Sequence, residues 1–298
     1  MRKFLMISAP TVAVLGGLGG GLAWLALYPV LPRDLGGAED LDARARHVRI
    51  AVAPRDSLDA WYLPGDGRAS VLLLHGYGRT HARMWRYGQF LRRAGYGVLA
   101  PDFRSSRAAR RLPTTLGHYE LADAGAALGW LRGQPGAGRL GVLGESLGGS
   151  VALVLAARAP DVVAVVADCA FASGREALEE SCERWAHLPR WPAAMLARRM
   201  SRRATGCDPY GVDVVPAVAA LGARPVFFIQ ALDDDRFSPG QVRELWKAAG
   251  SKDPLWLIPG AGHNQGWVRH RAVYERRVRA FFDRALLDAG PGLPAGTL

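Results

Sequence analysis

The chain has 298 residues, 49% of them hydrophobic, with 36 glycines, 19 prolines and a formal charge of +11. That supplies a sizeable core, as one large α/β domain or two small ones, and no repeat of 20–50 residues marks a solenoid. The positive excess is mostly arginine scattered along the chain without a nucleic-acid motif, which argues against a nucleic-acid partner.

In chain order, Arg2 and Lys3 precede an uncharged run over residues 4–31. The run exceeds the ~20 residues that cross a bilayer and the ~7–15 of a signal-peptide core. Residues 1–33 therefore read as an uncleaved signal anchor, with a cleaved secretory signal as the alternative. The positive end would stay in the cytoplasm and the remainder would lie outside it. One folded domain is expected over 34–290, followed by a short tail at 291–298.

After a charged linker, "HVRIAVAP" and "SLDAWYLPG" read as an opening pair of strands. Strands and helices then alternate: "SVLLLHG", a helix at 81–94, "YGVLAPD", a helix at 117–132, "RLGVLGES", a helix at 147–158, and "VVAVVADCA". Later come "RPVFFIQA", a helix at 239–249, "DPLWLIPG" and a helix at 268–287. The inner strands are continuous apolar runs, as in a parallel sheet covered by helices on both faces, so an α/β fold is expected. Residues 172–212 break the rhythm and read as a cap inserted over the sheet. They carry Trp185, Leu188, Trp191, Met195 and Leu196 beside Arg198, Arg199, Arg202 and Arg203. These residues suit either a lipid-facing surface or a plain lid with a solvated rim.

The chemistry concentrates at Gly144-Glu145-Ser146-Leu147-Gly148, a G-x-S-x-G between a strand and a helix. Gly144 and Gly148 allow a sharp elbow that lifts the Ser146 hydroxyl above the carboxyl ends of the strands. A serine needs a base, and His263 in "IPGAGHNQGW" stands in a glycine-rich loop just past the last strand. His47, His81, His118, His187 and His270 lie in polar stretches and read as exposed; His75 reads as a structural residue of its loop. The base needs an orienting carboxylate, and Asp233, Asp234 and Asp235 compete in "FFIQALDDDRFSP". Counting from Pro225 favours Asp234, with Asp235 next and Asp233 capping the turn. An oxyanion needs fixed backbone donors, and the N–H groups of Leu147 and of Tyr77 in "LLLHGYG" are placed for it. Among the three cysteines, Cys169 reads as a buried small hydrophobe, while Cys182 and Cys207 could bridge in an oxidising compartment.

Together "LLLHGYG", "GYGVLAPDFR", "TLGHYELAD", "GVLGESLGG", "PVFFIQALDDDRFSP" and "PGAGHN" resemble the serine-hydrolase branch of the α/β-hydrolase superfamily, with its esterases, lipases and aminopeptidases, over about residues 48–288. The resemblance implies Ser146 as nucleophile, Asp234 as acid, His263 as base, Tyr77 and Leu147 as oxyanion donors, and 172–212 as the cap. It departs after "PDFR", where the family's glycine-histidine-glycine-x-serine is replaced by Ser105-Ser106-Arg107-Ala108. The expected activity is hydrolysis of a small-molecule or lipid-like carboxylic ester without metal or organic cofactor. Thioester or peptide cleavage on the same triad is the alternative, and a non-catalytic membrane-anchored binding protein is the rival from another class.

Overall fold

The computed structural model describes residue 28 and residues 42–54, 56–106, 112–251 and 253–288. The anchor read at 1–33 and the tail at 291–298 lie outside the described residues, apart from residue 28 of the flanking apolar run's end. No helix among the described residues is long and apolar enough to cross a membrane.

The opening strands form as expected, β1 (Arg46–Ala53) and β2 (Asp56–Leu63). They are followed by β3 (Ala69–Leu74), β4 (Gly97–Pro101), β5 (Arg139–Glu145), β6 (Val162–Asp168), β7 (Val226–Ala231) and β8 (Trp256–Ile258). All eight join one sheet in the order β1-β2-β4-β3-β5-β6-β7-β8. β2 pairs antiparallel with β1 and β4, and every later neighbour is parallel.

Strand alternation sorts the apolar runs onto two faces. Along β3, Leu72 and Leu74 enter one core and Val71 and Leu73 the other. The first core is covered by α2 (His118–Arg132), α3 (Leu147–Arg158), α6 (Val215–Ala219) and α7 (Pro239–Ala249). The second is covered by α1 (His81–Arg93) and α9 (Arg271–Phe282). The expected helix at 268–287 is interrupted: α8 (Gly266–Arg269) stops at His270, α9 follows, and Asp283–Asp288 winds as a π-helix.

The insertion folds as α4 (Gly174–Glu180), a π-turn at Ser181–Trp185, α5 (Arg190–Thr205) and a 3-10 turn at Pro209–Gly211. Alanine, arginine, methionine and leucine make α5 a strong helix former, Pro192 sits in its tolerant first turn, and Gly206 at φ +74° ends it. The Ser173–Asp213 bridge closes the base of the insertion. The disulfide considered for Cys182 and Cys207 is absent, and both are free. The Cys182 carbonyl accepts from the Leu188 N–H just before α5, whereas Cys207 follows the far end of that helix, ~24 Å along its axis.

Candidate active site

The elbow is built by close backbone approach. A Cβ on Gly144 would run into the Gly148 carbonyl, and one on Gly148 would run into the Leu74 carbonyl. Side chains are thus excluded at both positions while β5 passes into α3. Ser146 between them takes φ +54° and ψ −120°, a strained conformation for a residue with a Cβ. Its N–H donates to the Asp168 carbonyl at 2.7 Å and its carbonyl accepts from Ser150 at 3.1 Å, so the turn is fixed from both sides.

Asp234 and His263 converge on this serine from the ends of β7 and β8. His263 Nε2 lies 2.9 Å from Ser146 Oγ, and His263 Nδ1 lies 2.7 Å from Asp234 Oδ2. Asp234 is 1% exposed. Its Oδ2 also accepts from Gln230 Nε2 at 3.0 Å, and its Oδ1 accepts from the N–H groups of Arg236 and Phe237 at 2.8 and 2.9 Å. Burial by itself would raise its pKa. The His263 hydrogen bond and charge and the two backbone donors outweigh that and hold the carboxyl below its ordinary range. Phe237 packs edge-on against the imidazole at 5.1 Å.

Of the three competing aspartates, then, only Asp234 reaches the histidine. Asp233 and Asp235 are exposed. The turn-capping expected of Asp233 is performed by Asp234 itself, and the Asp233 N–H donates to the Ala261 carbonyl.

Above the serine, the loop after β3 comes close: a Cβ on Gly76 would lie 3.2 Å from Ser146 Cβ. Tyr77 in this loop and Leu147 both border the serine. Leu147 opens α3, where the first N–H groups have no partner within the helix and the helix dipole favours negative charge. His75 is structural, as read: Nε2 accepts from the Phe103 N–H at 3.0 Å, which assigns the proton to Nδ1 and lets it donate to the Gly76 carbonyl at 2.8 Å. His81, read as exposed, is instead buried, stacked on Trp61 and bonded to Asp102.

Beneath the elbow lies a network that the sequence reading did not single out. Glu145, 1% exposed, accepts from Arg83 Nε at 3.1 Å, from Arg86, and from the Tyr87 hydroxyl at 3.1 Å. Arg83 and Arg86 also donate to the carbonyl of Asn264, the residue after His263, at 3.1 and 3.3 Å. One ion cluster therefore ties the residue before Ser146 to the residue after His263. Burial pushes the Glu145 pKa up, but the Arg86 and Arg83 charges overcome it and bring it down to about 2. The only sequence signal is a carboxylate inside a buried strand end, which requires a cationic partner.

One grouping among the described residues has metal-ligand atoms in mutual reach, Cys169, Asp234 and His263, within 4.8 Å. Both ring nitrogens of His263 are already engaged, and burial pushes the Cys169 thiol well up and keeps it protonated. The grouping fits a hydrogen-bonded relay better than a metal centre.

Two cavities meet at Ser146. An apolar one of about 80 Å³ is walled by Leu116, Leu147, Phe171, Leu178 and Phe237. A polar one of about 330 Å³ opens over Ser146 and His263 and is edged by arginines and by Asp233 and Asp235. Tyr77 and Arg236 border both.

Residues 69–198 match the family model for the alpha/beta hydrolase fold. Two curated relatives, uncharacterized proteins of Mycobacterium tuberculosis strains CDC 1551 and H37Rv, are each 28% identical over 244 residues, 79% of this chain and 78% of the relative. Among solved structures, the Pyrococcus furiosus esterase Pf2001 superposes with a TM-score of 0.69 at 24% identity, covering 86% of this chain and 97% of that one. Est1E from Butyrivibrio proteoclasticus gives 0.63 at 14% identity over 80% and 98%, and the acylaminoacyl peptidase of Pyrococcus horikoshii 0.63 at 20% over 88% and 46%. The sheet order, the elbow and these likenesses together give the chain the alpha/beta hydrolase fold.

Proposed function

We propose that the protein is a serine hydrolase that cleaves carboxylic esters through an acyl-enzyme. His263 takes the Ser146 proton as the oxygen attacks the acyl carbon, and Asp234 holds the imidazole in the required tautomer and stabilises its cation. The backbone N–H groups of Leu147 and Tyr77 receive the developing oxyanion. His263 then protonates the leaving alcohol, and water releases the acyl group by the reverse sequence. The observation that carries this reading is the unbroken relay from Asp234 Oδ2 to His263 to Ser146 Oγ, at 2.7 and 2.9 Å.

The apolar cavity supports a small acyl group. At about 80 Å³ beside Ser146 it is small, which favours short acyl groups such as acetyl to butyryl over long chains. A panel of p-nitrophenyl esters of increasing length tests this, together with a thioester and a peptide amide of the same acyl group. The account expects a maximum at two to four carbons that vanishes in Ser146→Ala. A long-chain optimum, a preference for the amide, or turnover that survives the substitution would overturn it.

The uncharged run after Arg2 and Lys3 supports an anchor that leaves this site outside the cytoplasm. Protease added to intact cells should then degrade the hydrolase domain; full protection would refute that placement.

A further inference from the structure

The polar cavity over Ser146 has a cation that nothing within the described fold uses. Arg83 and Arg86 are committed to Glu145 and the Asn264 carbonyl, and Arg184 donates to the Asp234 carbonyl. Arg79, which edges the same cavity, makes no side-chain hydrogen bond or ion pair among the described residues. Asp233 and Asp235 also edge the cavity, yet neither is within ion-pair distance of Arg79, and Glu145 is neutralised by its own two arginines.

The Arg79 side chain is exposed at the rim of the cavity, but its backbone is fixed. It stands two positions after Tyr77, in the loop that approaches Ser146. Gly78 takes φ +63°, and the Arg79 N–H closes the turn onto the Gly76 carbonyl at 3.2 Å. Its side chain therefore projects from the same rigid turn that carries the expected oxyanion donor. Partial desolvation depresses its pKa, and the neighbouring Arg83 and Arg236 charges depress it further against the opposing Glu145. Such a site gains from an incoming anion, which relieves the repulsion among the cations.

The two cavities differ in character, and an ester has two sides to place. The apolar cavity suits an acyl group, which leaves the larger polar cavity for the alcohol. We propose that the preferred substrates are short-chain acyl esters whose alcohol portion bears a carboxylate, and that Arg79 is the residue that selects it. This rests on the ester-hydrolase reading above, because it assigns the alcohol side of the same reaction.

The test compares two acetate esters in the full chain: 4-acetoxybenzoate, which carries the carboxylate, and its neutral methyl ester. The readout is the ratio of their kcat/KM values. Arg79→Gln should lower the anionic-to-neutral ratio about tenfold, through KM of the anionic ester, as expected for loss of a charge-assisted hydrogen bond. Arg79→Lys should recover part of it, and added salt should shrink the ratio in the wild type more than in Arg79→Gln. A ratio unchanged by Arg79→Gln, or one that falls through kcat alone, refutes the assignment. The two readings fail separately. If the neutral ester is not hydrolysed, or is still hydrolysed by Ser146→Ala, the esterase reading falls. If Ser146-dependent turnover is present and the ratio does not move, only the role of Arg79 falls.

Discussion

Between β5 and α3 the chain is held on both sides of the turn, whereas the insertion at 172–212 rests on a small support. At the elbow, two glycines exclude side chains, the Ser146 N–H is bonded to β6, and the Arg83–Glu145–Arg86 cluster joins the elbow to the histidine loop. Among the described residues of the insertion, Leu178, Ala194 and Ala197 form a small buried apolar cluster, with Trp191 76% and Met195 42% exposed. Polar ties do much of the rest: Arg198 pairs with Asp208 at 2.7 Å and lies over the Tyr210 ring, and Glu180 accepts from Ser238 of the body. The difference teaches where precision is needed. A nucleophile must be held within a fraction of an ångström, so strain is concentrated where packing over-determines it. An insertion with less packing is freer to move.

If that contrast is right, changes at the floor of the site should be costly in proportion to how directly they touch the relay, and changes on the outer cap should not matter. The largest effect belongs to Ser146→Ala and His263→Ala, each expected to lower kcat/KM by at least ~10⁴-fold. The double variant should be little worse than either, because the pair acts as a unit. Steady-state kinetics on p-nitrophenyl acetate would decide it, and additive losses would break the assignment. Asp234→Asn should follow at about 10⁴-fold, since an amide favours the wrong imidazole tautomer. Asp235→Asn should stay within about threefold, as expected of an exposed side chain away from the relay.

Glu145→Gln probes the support beneath the elbow through stability. Removing one side of a buried ion cluster costs about 3–5 kcal/mol at neutral pH. The folded-state pKa is depressed from 4.5 to about 2, so the wild-type advantage is complete above about 4.5 and fades as pH falls through about 2. Denaturant melts of both proteins across that window measure it; a gap that widens toward acid would contradict the ion-cluster account. At the small end, Trp191→Ser on the outer face of α5 should change stability by less than about 0.5 kcal/mol. A loss of several kcal/mol would mean that the cap is packed against something beyond the described contacts.

Most of the site was legible because its parts are local. The elbow is one continuous stretch whose glycines announce a close approach, and the strand runs on either side fix its direction. His263 could be found because it follows a strand end in a glycine-rich loop. Choosing Asp234 over its neighbours required counting along β7, which is regular from Val226 to Ala231. The Glu145 cluster was not legible, because Arg83 and Arg86 lie one helical turn apart on α1 and look like any solvated pair until the fold brings β5 beneath them. His81 was misread for the same reason: its partners are Trp61 in β2 and Asp102 just past β4, both distant in the chain. The free state of Cys182 and Cys207 depended on the length and direction of α5, which residue counts do not give. The departure at 105–108 from the family pattern begins in a 3-10 turn at Arg104–Ser106, and Arg107 and Ala108 lie outside the described residues.

The central claim is that Ser146 is activated by His263 and Asp234 for attack on an acyl carbon. The most direct test is covalent labelling with a fluorophosphonate, followed by peptide mapping. The account predicts one adduct, on Ser146, that is lost in Ser146→Ala and forms far more slowly in His263→Ala. An adduct on another residue, or labelling of Ser146 that proceeds at the same rate without His263, would contradict it.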